Sequence, residues 1–76
     1  MTLSLGKFIT YKREKLGYKK VEFSKLIGVG DDTLRYWERD RFIPAGKNMI
    51  ALINVLAFTK DEVKHYFRSD LYGKTN

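Results

Sequence analysis

Lys20, Arg35, Arg39, Arg41 and Lys47 crowd one stretch of this chain, with Asp31, Asp32, Thr33 and Tyr36 among them. The chemistry open to such a set is hydrogen bonding and ion pairing with a polyanion, not bond breaking. Nothing elsewhere suggests catalysis. There is no cysteine, and the one histidine, His65, has Asp61 and Glu62 nearby but no second ligand at metal spacing. A Ser-His-Asp pattern, a phosphate-cradling glycine loop and paired carboxylates in a cleft are all missing, and 76 residues leave little room for a substrate pocket. The chain is therefore expected to be no enzyme, with no cofactor, metal or small-molecule ligand.

Charge supports the polyanion reading. Fifteen Lys and Arg against nine Asp and Glu give +6. Residues 1–47 hold eleven bases and six acids, whereas 48–76 hold four and three. A basic half joined to a near-neutral half suggests one face for a polyanion and another for packing. No apolar run approaches the roughly 18 residues of a membrane span. Lys7, Lys12, Arg13 and Lys15 interrupt any signal-peptide pattern, so a soluble, cytoplasmic protein with no membrane partner is expected.

These side chains must be positioned by short helices. Nothing alternates with period two over a strand's length, and Gly17, Gly28, Gly30, Pro44 and Gly46 divide the chain into helical pieces. Leu5, Phe8, Ile9 and Leu16 define one apolar face. A second helix fits about Lys19 to Ile27, with Phe23 and Ile27 inward. A third fits about Asp31 to Arg39, with Leu34 and Trp37 inward. Met49, Leu52, Ile53 and Leu56 describe a fourth. Thr59 and Glu62 form a capping box before a fifth, lined by Val63, Tyr66 and Phe67. The expected fold class is all-α, one domain of five helices over residues 1–76, with a tail from about 69. A core this small buries only about 60% of its unfolded surface, so it depends on close helix packing, self-association or both.

Between Lys20 and Arg39, two short helices are joined by Ile27-Gly28-Val29-Gly30, which allows only a tight turn. Gly28 supplies the positive φ that such a turn needs, and Ser24 offers a small side chain where the helices cross. With Phe23, Ile27, Val29, Leu34 and Trp37 buried, the outer side of the second helix is free to enter a major groove about 12 Å wide.

The run Arg13-Glu14-Lys15-Leu16-Gly17, then Phe23-Ser24, Gly28-Val29, Thr33-Leu34, Trp37-Glu38 and Pro44, resembles the Cro and phage-repressor-like (XRE) family across roughly residues 3 to 68. The resemblance implies a compact, lambda-repressor-like domain whose third helix reads DNA, and members that bind as symmetric dimers. It also implies an ion pair between Arg13 and Glu38 tying the first helix to the end of the third, and base contacts from Asp31, Asp32 and Tyr36. Thr33 is then placed for a phosphate or a thymine methyl, and Arg35 for guanine or the backbone. Lys20, Arg39, Arg41 and Lys47 become the candidates for phosphate contacts. Three positions depart from the family pattern: Lys20 stands for the usual Gln, Ser24 for Ala, and Gly30 for a Ser or Thr cap.

The expected function is a sequence-specific, double-stranded DNA-binding transcriptional regulator, a repressor of phage or mobile-element type. Tyr66, Phe67, Leu71 and Tyr72 carry apolar surface suited to a homodimer on an inverted repeat, with two recognition helices about 34 Å apart. Two alternatives compete. Thr33 to Arg39 with Ile43-Pro44 is similar to the mercury-resistance regulator (MerR) motif, which a strand-rich wing follows. Two aspartates on the face meant for DNA also suit a protein-binding module, an inhibitor or antirepressor.

Overall fold

A computed structural model describes residues 3–67 as five helices with no strand among them. They are α1 (Leu5–Lys15), α2 (Lys20–Ile27), α3 (Asp31–Glu38), α4 (Gly46–Val55) and α5 (Lys60–Tyr66). The all-α reading therefore holds. A helix follows Pro44 where the MerR alternative requires a wing, which disposes of that reading.

Three of the five helices start by a device visible in their own sequence. Ser4 Oγ accepts from Lys7 N–H at α1. The Lys19 N–H donates to Glu22 Oε1 at α2. Thr59 and Glu62 exchange both bonds of the capping box at α5, 2.9 and 3.1 Å. The helix ends share another device. At α1, α2, α3 and α4 a residue with left-handed φ (Gly17, Gly28, Asp40, Ala57) donates three residues back, and the next residue five back. This pattern caps the last carbonyls and turns the chain sharply.

The core is formed by Ile9, Phe23, Leu34, Trp37, Met49, Leu52, Leu56, Phe58, Val63 and Phe67. Two expectations need correction. On α1 the buried stripe is Gly6, Ile9 and Arg13, so an arginine takes the place one turn after Ile9. Leu16, beyond the last helical residue, is left half exposed. At the end of α5, Phe67 is fully buried within the chain and packs on Phe58 at 5.7 Å. Tyr66 stacks on Phe8 at 4.8 Å and donates its hydroxyl to the Leu3 carbonyl. The chain's own core needs this aromatic surface, because α5 is only seven residues long and must dock through large side chains. Phe67 is thus not available to a second subunit. Leu71 and Tyr72 lie outside the described residues.

Arg13 holds α1 to α3. Its Nε donates to Glu38 Oε2 at 2.8 Å and Nη1 to the Tyr18 carbonyl at 2.8 Å, with both side chains of the ion pair over 90% buried. A second tie joins α1 to the C-terminal half: Lys12 Nζ lies 3.5 Å from Glu62 and 3.4 Å from the Ala57 carbonyl.

Candidate nucleic-acid interface

The α2–α3 pair is built around Gly28, whose φ of 77° closes α2 and sends the chain into the extended Gly30. A side chain there would be strained whatever the space around it. The turn lets Phe23 and Ser24 of α2 meet Leu34 and Trp37 of α3, all four buried. Burying Leu34 and Trp37 leaves the opposite side of α3 outward. Asp32, Arg35, Tyr36 and Arg39, spaced by threes and fours, form one exposed stripe there.

The five residues expected to read bases do not share one environment. Arg35 and Tyr36 are exposed, and neither side chain makes a hydrogen bond or ion pair among the described residues. Asp32 is exposed and accepts from the Thr33 N–H at 2.9 Å, satisfying a free donor of the first helical turn. Thr33 is half-buried beside it. Asp31 is engaged differently: its Oδ1 takes the Ser24 hydroxyl at 2.5 Å. That bond crosses from α3 to α2 and partners a hydroxyl that is almost wholly buried. Asp31 therefore braces α3 against α2 through Ser24, and with the family's alanine at position 24 its carboxylate would lose this donor.

Of the four cations expected at phosphates, Arg39 belongs to this stripe and the other three lie on the elements next to α3 in the chain. Lys20 opens α2, Arg39 and Arg41 follow the end of α3, and Lys47 lies in the first turn of α4. All are exposed, and among the described residues none is in an ion pair. Lys12 and Arg13, by contrast, have their charge satisfied internally. The start of α4 lacks a side-chain acceptor for its first N–H groups, so Lys47 sits beside a partial positive charge rather than a neutralised one.

Three further residues shape the site, and sequence reasoning passed over them. Asp40 adopts φ 60° and reaches across to α1, where Oδ1 accepts the Gly6 N–H at 2.8 Å and Oδ2 the Ser4 hydroxyl at 2.7 Å. It supplies the negative charge that the first turn of α1 lacks. No local signal shows this, since the partners lie 34 and 36 residues apart. Gly6 permits the approach: a Cβ would sit 2.6 Å from the Trp37 and Glu38 carbonyl oxygens. Phe42, exposed in the α3–α4 connection, places its ring edge-to-face with Tyr36, centroids 5.4 Å apart.

Comparison with known proteins agrees with this geometry. A helix-turn-helix family model matches residues 9–63. The chain is similar to the HTH-type transcriptional regulator ImmR of Bacillus subtilis, 32% identical over 96% of this chain and 62% of that protein. It is also similar to repressor protein C2 of Salmonella phage P22, 32% identical over 79% of this chain and 28% of that one. The HTH-type transcriptional regulator DicA of Escherichia coli is 33% identical over 71% and 40% respectively. The chain thus spans less than two thirds of the length of these curated relatives. No solved structure gives a significant match.

Proposed function

We propose, since the chain belongs to the helix-turn-helix family, that it binds double-stranded DNA through α3 in the major groove and represses transcription in the cytoplasm. The single observation that carries this reading is the exposed stripe of α3, with Arg35 and Tyr36 unengaged and with Lys20, Arg39, Arg41 and Lys47 all exposed and outside every ion pair among the described residues. Arg35 and Tyr36 are the base-reading side chains, with Asp32 able to accept from a cytosine amino group and Thr33 placed for a phosphate or a methyl. Lys20, Arg39, Arg41 and Lys47 hold phosphates. Asp31 has one carboxylate oxygen held by the Ser24 hydroxyl, which leaves only the other for a base edge.

An operator read this way is an inverted repeat bound by two copies. With Phe67 committed to the core, a dimer face would draw on Tyr66, Leu71 and Tyr72. The phage repressor among the relatives supports an origin in a mobile element.

Salt dependence tests the phosphate set. Four phosphate contacts give a slope of log affinity against log salt of about −3.6 on random duplex. Lys20→Ala should flatten it by about 0.9 and weaken binding to all sequences alike. A slope near zero, or one that Lys20→Ala leaves unchanged, refutes the assignment.

A further inference from the structure

Phe42 presents an unusual economy: a large apolar side chain, 61% exposed, on a connection that contributes little else to the core. Its position is nevertheless tightly specified. The end of α3 is closed by Asp40 N–H to the Trp37 carbonyl at 3.1 Å and Arg41 N–H to the Tyr36 carbonyl at 2.8 Å. Asp40 is itself fastened to the N-terminus of α1 through both carboxylate oxygens. The turn that delivers Phe42 is therefore anchored at two ends, on the last turn of α3 and on α1. From it the Phe42 ring meets Tyr36 edge-to-face, at 84° between planes, the arrangement that aromatic quadrupoles favour.

We infer that Phe42 is a positioning residue for base readout, holding the Tyr36 ring in one orientation on α3 before DNA arrives. The inference rests on the DNA-binding reading. Tyr36 stands on an open helix face, 39% exposed, and its hydroxyl has no hydrogen-bond partner among the described residues. A tyrosine so placed, without a neighbour, would sample several rotamers and pay to be ordered on binding. The Phe42 ring blocks that motion on one side while leaving the phenol oxygen open to a base edge. Ordering one side chain in advance corresponds to roughly a two- to tenfold gain in affinity. The gain applies only where Tyr36 makes an oriented contact, so Phe42 contributes to discrimination between sequences and not to general affinity. Tyr36 touches the base; Phe42 acts through it.

The test uses the full chain with two duplexes, one carrying a site enriched from a random pool and one of random sequence. Phe42→Ala should lower affinity for the enriched site by roughly two- to tenfold, leave the random duplex within about twofold, and leave the melting temperature nearly unchanged. Phe42→Leu, which keeps apolar bulk without the ring, should behave like Phe42→Ala, whereas Phe42→Tyr should restore discrimination. In a Tyr36→Ala background, Phe42→Ala should have no further effect. Equal losses on both duplexes, full discrimination in Phe42→Leu, or losses that simply add to those of Tyr36→Ala would overturn the positioning role while leaving DNA binding standing. A wild-type chain that retains no duplex would overturn the underlying reading, and the inference with it.

Discussion

Replacing Glu38 with alanine removes one member of a buried ion pair and leaves the other in place. In the native chain the Arg13 guanidinium donates to both Glu38 oxygens, at 2.8 and 3.5 Å, and to the Tyr18 carbonyl. After the substitution only Tyr18 remains in close range, with Glu14 3.8 Å away and largely in solvent. The Arg13 side chain is 5% exposed, so its charge keeps most of its desolvation cost while losing its main compensation. Stranding a buried charge in this way costs about 3–5 kcal/mol, and we take the lower end because the truncated Glu38 leaves a path for water. A domain of this size is stable by about 4–11 kcal/mol, so a loss of about 3 kcal/mol is a large share of the total. It corresponds to a fall in Tm of roughly 12–24 °C. Circular dichroism during thermal and urea unfolding measures it, completed as a cycle of Arg13→Met, Glu38→Leu and the double variant Arg13→Met/Glu38→Leu. The double variant should lie within about 1 kcal/mol of wild type, since well-packed apolar replacements for a buried pair are often neutral. A loss under about 1 kcal/mol for Glu38→Ala would place the pair among exposed salt bridges and refute the reasoning.

Gly6→Ala should destabilise by about 2–3 kcal/mol in the same melts, because its Cβ would meet two backbone carbonyls of α3 at 2.6 Å and neither can swing aside; a change under 0.5 kcal/mol, on the scale of an ordinary surface substitution, would mean α1 and α3 are less tightly joined. Ala57→Gly should raise stability by about 0.5–1 kcal/mol, since left-handed backbone strains alanine by more than the added unfolded-state entropy of glycine costs; an unchanged or lower Tm contradicts it. Stability should also fall at alkaline pH through Tyr66. Burial first, and then the negative charge of Glu62, raise its pKa above the ordinary 10.0. The neutral phenol's contribution is then intact below pH 10.0 and lost as pH climbs through the raised value. Denaturant titrations at stepped pH should show a shallower alkaline decline in Tyr66→Phe than in wild type, and identical slopes would count against the assignment.

Much of the fold was readable because its signals are local. The spacing of Leu34 and Trp37, the Thr59–Glu62 capping box and the glycine at the α2–α3 turn each act within one helix or turn. What escaped is non-local. Asp40 looks like a surface acid until α1 is folded against it, and Gly6 looks like a weak helix residue until the α3 carbonyls arrive. Leu16 continues the apolar spacing of α1 on paper, but the helix stops one residue earlier. The site shows the same division. The outward stripe of α3 follows from periodicity, whereas the engagement of Asp31 with Ser24 depends on the angle at which α2 and α3 cross. By spacing, Tyr66 and Phe67 suit the inner face of the fifth helix, and by apolar character they suit a partner as well. Composition does not reveal how many aromatics a short helix needs in order to dock, and here Phe67 is needed inside.

The central claim is that α3 reads DNA sequence, and affinity selection of a random duplex pool by the purified chain at moderate salt tests it most directly. The expected result is an enriched inverted repeat whose half-sites lie about one helical turn apart, about 10–10.5 base pairs centre to centre, with enrichment abolished by Arg35→Ala together with Tyr36→Ala. Retention of DNA with no enriched sequence would contradict base reading by α3, and no retained DNA at all would contradict the account as a whole.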